Sequence, residues 1–210
     1  MTAGERGTTV PQSSLPAGGT AWVVTRLLIV GSASATPIID CFVVEGTQLI
    51  TASELAGFVA AHAIWCVSEA DGLTPMVAFT TQDGQRKLER LAFGDAGAAV
   101  EHGRTRLEDD PLSANDGVLA YDGRITVEGG KLDAVVLEMR SYGFPWAKAT
   151  LAVPYTPRST GRFRVHKPKL VEWERCEDFD LDAAFEAFFK GVDSHEQGAK
   201  VWATALDESR

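Results

Sequence analysis

Apolar positions recur along the chain with two different periods. Leu55, Phe58, Val59, His62, Trp65 and Cys66 fall on one face at helical spacing. Ala56, Ala60, Ala63 and Val67 fill the opposite face, and no charged residue lies between Leu55 and Val67. The pattern predicts a helix over 51–67. Thr51 with Glu54 three residues on forms the capping-box signature at its start. A helix apolar on every side is buried on more than one. A sheet is expected against one face, and another layer or a second subunit against the other.

Runs with strand character surround it. Residues 21–30 and 38–44 are rich in Val and Ile and read as an antiparallel pair. Residues 76–81 and 87–93 flank Gln82, Asp83, Gly84 and Gln85, which predicts a hairpin. Asp95 is placed to cap a short helix reaching about Gly103, and the polar run 108–117 reads as a loop and a possible internal seam. Strands are then predicted over 118–121, 123–127, 134–141, 147–155 and 162–171, separated by turn residues such as Asp122 with Gly123 and Gly129 with Gly130. Consecutive Val135, Val136 and Leu137 mark a central strand. Leu181, Phe185, Phe188, Phe189 and Val192 form one helical stripe, with Asp180 as cap and Gly191 near the stop. Asp193 followed by Glu196 predicts a last helix carrying Trp202 and Leu206. The order of elements has no strict β-α-β alternation. It predicts an α+β fold: an antiparallel sheet, strand-rich in the second half, packed with a buried central helix and two C-terminal helices. Residues 1–19, rich in Gly, Thr, Ser and Pro, are expected to form a flexible arm before a single domain over 20–210.

Composition narrows the function classes. The 210 residues are 45% hydrophobic and 23% charged, ordinary for a globular chain able to bury a core. A net charge of -9 weighs against nucleic acid and anionic membranes as partners. Cys41, Cys66 and Cys176 are dispersed and odd in number, which suits a reducing compartment. The apolar run Leu27 to Val30 is too short for a signal peptide core, and no run of about 18 apolar residues suggests a membrane span. A cytoplasmic location is expected.

Phosphate-loop, dinucleotide, zinc-protease and serine-hydrolase motifs are all missing from the sequence, so no catalytic residue and no cofactor is assigned. The clearest candidate surface is basic. Arg158, Arg162, Arg164, His166 and Lys167, with Lys169 beyond, stand out in an acidic chain. In one extended strand Arg162, Arg164 and His166 project to the same side, a row suited to carboxylate or phosphate oxygens. A solvated, aggregation-resistant edge is the plainer alternative. Trp146, near Tyr142, Phe144 and Tyr155 around a Gly-Pro turn, suits stacking against a ligand or simply covers a sheet end. The acidic run from Glu172 to Asp182 reads as neutralisation of the basic strand and as helix-start charge. His62 and Cys66 lie four apart, the spacing of a metal pair or a thiolate–imidazolium couple, or of an ordinary core helix. Asp40 beside Cys41 suits a buried base or a strand edge, and His195 before Glu196 an acid/base group or helix-start polarity. These features favour a non-catalytic interaction protein, such as an assembly factor, a chaperone or a toxin-neutralising protein, with an acidic or mixed-charge protein as partner. Self-association as a homodimer is expected to cover the helix. The alternative is a small-anion binder or enzyme with its pocket between sheet and helices.

Overall fold

The computed structural model describes residues 49–70, 72–109, 113–127, 130–143, 147–176 and 179–209. The arm, the strands expected over 21–30 and 38–44, Asp40, Cys41, Phe144 and Trp146 lie outside these residues.

The central helix α1 spans Ile50–Glu69. It is long and apolar enough to cross a membrane by length and composition, yet most of it is packed inside the protein. The capping box does not form. Leu49 occupies the cap position in the left-handed region at φ 63°, and no side chain caps the helix. Glu54 is instead drawn outward by Arg86 and Lys190, each 2.8 Å from its carboxylate. Two full charges outcompete one backbone amide for that carboxylate.

The sheet is built from β1 (Met76–Thr80), β2 (Arg86–Arg90), β3 (Asp116–Val127), β4 (Gly130–Ser141), β5 (Lys148–Thr156), β6 (Arg164–His166), β7 (Lys169–Glu174) and β8 (Leu206–Asp207). Its order is β2-β1-β3-β4-β5-β6-β8, with β7 also paired to β5. Among the described residues all pairings are antiparallel except β6 with β8, so the sheet is mixed rather than purely antiparallel. The parallel pair arises because the last helix returns the chain to β6 in the same direction. Period-two alternation sends Ala78, Val118, Val135 and Leu137 to α1, and Val77, Phe79 and Leu119 to the opposite face. There α2 (Ala96–Asp109) covers them with Ala99 and Leu107. Asp95 caps α2 as expected, accepting from the Ala98 N–H at 2.7 Å, but the helix runs past Gly103 to Asp109.

Two expected breaks are displaced. Asp122 and Gly123 do not turn. Residues on both sides of them pair with β4 in one register, which keeps β3 extended, and the Tyr155 hydroxyl donates to Asp122 at 2.9 Å. The strand expected over 162–171 divides into β6 and β7, because Pro168 has no N–H for a continuous ladder.

Helices α3 (Leu181–Asp193) and α4 (Glu196–Ala205) pack on the face of α1 turned away from the sheet. The second face of α1 is thus covered from within the chain, which removes the reason to expect a second subunit there. Asp180 caps α3 by accepting from the Ala183 N–H at 3.0 Å. Gly191 lies near the stop of α3, two residues before its end, and serves a close crossing as well. A Cβ on Gly191 would overlap the Glu54 carbonyl, and one on Gly57 the Phe188 carbonyl, so the two backbones touch where these glycines face each other. The cap of α4 is His195 rather than Asp193. Under the start of α1, Asp116 is 1% exposed. Burial raises its carboxyl above the usual range, and the Thr51 and Ser141 hydroxyls oppose the rise only in part.

Candidate functional site

The expected basic row is divided by the break before β7. After β5, a short 3₁₀ turn, Arg158–Thr160, and Gly161 at φ 146° bring the chain back toward α4. Arg158 Nε donates to the Ser68 carbonyl at 2.6 Å, in the last turn of α1. A cation is favoured there by the helix dipole, and the bond fixes the direction of the guanidinium. Arg158 and Arg162 then line an open cleft of about 600 Å³ with Lys200 of α4. Phe163 and Ala205 form part of its apolar wall. Lys200 also pairs with Glu196 at 3.0 Å. Neither Arg158 nor Arg162 has a carboxylate partner among the described residues.

The other basic residues take different roles. Arg164 is paired with Asp207 at 2.5 Å across the parallel strands. Hydrogen bonds from Ser209 and Arg164 hold the Asp207 carboxyl well below the ordinary carboxylate range. His166 is 2% exposed, with Nε2 3.2 Å from the Thr156 hydroxyl, and so belongs to the interior. Lys167 is exposed beside Pro168. Of the acidic run, Asp180 caps α3 and Asp182 lies in its first turn, as expected of helix-start charge, while Glu174 pairs with Lys148 at 3.1 Å and, among the described residues, no ion pair joins the run to the basic strand. Of the aromatics, Tyr142 donates to the Leu107 carbonyl at 2.6 Å, and Tyr155 is buried.

A second cluster joins residues far apart in the sequence. His62 on α1 and His195 at the start of α4 meet with Nδ1 and Nε2 3.0 Å apart. Phe58 and Trp65 pack against the pair, with ring centroids 5.1 Å and 6.1 Å from His195. Arg90 of β2 places Nη2 3.1 Å from His62 Nε2 and 3.5 Å from Cys66 Sγ. Burial pushes the Cys66 thiol up and the nearby Arg90 only partly reverses this, which favours the ordinary core-helix reading of this spacing over a thiolate–imidazolium couple. No group of three His, Cys, Asp or Glu suited to a metal occurs among the described residues.

Both histidines are shifted down. Burial is the main cause for each, and His195 and Arg90 add charge repulsion at His62. A group with a depressed pKa contributes stability that is present above its unfolded value and lost as pH falls through the folded one. The urea midpoint is therefore expected to drop as the pH falls below about 6.5, the unfolded histidine value. The variant His195→Asn keeps a capping side chain. It is expected to flatten this limb, and an unchanged pH profile in that variant would rule out the histidine pair as its cause.

No protein-family model, curated protein or solved structure matches the chain. What the fold defines is an α+β protein with a curled mixed sheet.

Proposed function

We propose that the chain is a non-catalytic interaction protein that holds an acidic polypeptide segment in the cleft between the Arg158–Thr160 turn and α4. The carrying observation is that Arg158 and Arg162 line this cleft with no carboxylate partner among the described residues, in a chain of net charge -9. In an acidic protein carboxylates are plentiful, so arginines left facing an open surface favour an external anion. The cleft is wide and shallow rather than enclosed, which suits an extended segment better than a small molecule. Phe163 and the stem of Lys200 offer apolar contact beside the charges. A small anion is the second reading, favoured by the fixed pose of Arg158 on Ser68.

A fluorescent oligoglutamate peptide provides the test, with binding read as anisotropy. The double variant Arg162→Gln/Lys200→Gln is expected to weaken binding by about tenfold or more and to lessen its salt dependence. Equal affinity in both proteins would overturn the proposal. Binding of inorganic phosphate at the same residues, with no peptide binding, would transfer the cleft to the small-anion reading.

A further inference from the structure

The histidine pair fixes the position of its own protons. The Gly198 N–H donates to His195 Nδ1 at 3.0 Å, and a backbone amide nitrogen can only donate. Neutral His195 therefore carries its proton on Nε2 and donates it to His62 Nδ1, 3.0 Å away. Neutral His62 must then carry its proton on Nε2. That N–H faces Arg90 Nη2 at 3.1 Å, and a guanidinium has no lone pair to accept it. Two donors thus point at one another. The depressed histidine pKa values agree with both rings being neutral. His195 is 8% exposed, so this member of the pair is held inside the protein.

Convergent donors become favourable when one acceptor oxygen takes both. Beside Arg90 and Cys66 lies a cavity of about 260 Å³, with Trp65, Leu73 and Met76 in its wall. At about 30 Å³ per water, it has room for roughly nine waters' worth of ligand. Glu69 also borders it and accepts from the Trp65 indole N–H at 2.8 Å. Its negative charge disfavours a ligand carrying more than one. We propose that Arg90 and His62 bind the carboxylate of a small monocarboxylic acid, whose apolar body occupies the cavity against Trp65, Leu73 and Met76. The site is separate from the Arg158 and Arg162 cleft and does not rest on the role given to that cleft.

Benzoate is the probe, and nitrogen-15 NMR of the histidine rings is the readout. Before addition, His62 and His195 are both expected to carry their protons on Nε2. Benzoate is expected to shift both rings saturably, and Arg90→Gln to weaken its binding by about tenfold, the scale of a lost charge-assisted hydrogen bond. Arg90 lies on the exposed strand β2, so that variant retains the core. Arg162→Gln is expected to leave benzoate binding unchanged, and inorganic phosphate to compete poorly. A His62 proton on Nδ1, the absence of a saturable shift, or equal affinity in Arg90→Gln would each overturn the proposal. Phosphate binding as tightly as benzoate would overturn its restriction to monocarboxylates.

Discussion

Gly191→Ala is expected to destabilise the fold by about 3 kcal/mol or more, at the upper end of the range for overpacking. The added methyl has nowhere to go. Its position coincides with the backbone carbonyl of Glu54, and the backbone N–H of Phe58 lies on the same side. A flexible side chain would swing away from such a clash, but a helix backbone moves only by shifting the whole of α3. That shift would also strain the contact between Gly57 and the Phe188 carbonyl, one turn along the same seam. Urea unfolding checks the prediction: the midpoint falls while the slope stays constant. A loss below about 1 kcal/mol would mean that α1 and α3 separate readily enough to admit a methyl group.

Phe188→Ala is expected to cost about 3–5 kcal/mol by the opposite route. Phe188 is fully buried between α1 and α4, and its ring meets Trp202 edge-on at 6.0 Å and Phe189 at 5.5 Å. Truncation removes apolar contact and leaves a cavity that the glycine-tight helices cannot close. Trp202 lies beside that space, so its fluorescence in the native state should change together with the unfolding midpoint. A stability loss without a change in Trp202 emission would separate the cavity from the aromatic cluster.

Local features of the fold were legible in the sequence. The apolar spacing around Leu55 and Val59 located α1, and Asp95 and Asp180 marked helix starts because capping is a contact within three residues. The Asp83 and Gly84 turn located the β1–β2 hairpin for the same reason. The misreadings came from residues with two competing uses. Thr51 and Glu54 form a capping box only if nothing stronger claims the carboxylate, and Arg86 and Lys190 do claim it. Gly191 does lie near the stop of α3, but nothing in the sequence signals that its missing side chain also serves a crossing with α1. Asp122 and Gly123 have turn chemistry, but β4 pairs with both sides of them.

The candidate sites were legible only as ingredients. The excess of Arg and Lys near residue 160 was visible in the sequence. That Asp207 would neutralise Arg164 depended on a parallel pairing between β6 and the end of the chain. Lys200 joined Arg158 and Arg162 only because α4 packs across α1. His62 and His195 are separated by 133 positions, and no periodicity within either helix predicts their meeting. Taken alone, each histidine is better explained by its ordinary role. Gly198 was the one available signal, since a glycine three residues after a histidine allows the close approach of α4 that Ala61 requires.

The covering of α1 by α3 and α4 has a consequence for synthesis on the ribosome. The helix emerges early, but the segment 181–205 that seals its outer face follows more than a hundred residues later. At about 5–20 residues per second, the nascent chain carries an unsealed apolar surface for several seconds. Chaperone capture is most useful to this chain during that interval. A ribosome-bound chain halted before residue 181 should bind trigger-type chaperones more strongly than one released with α4 in place.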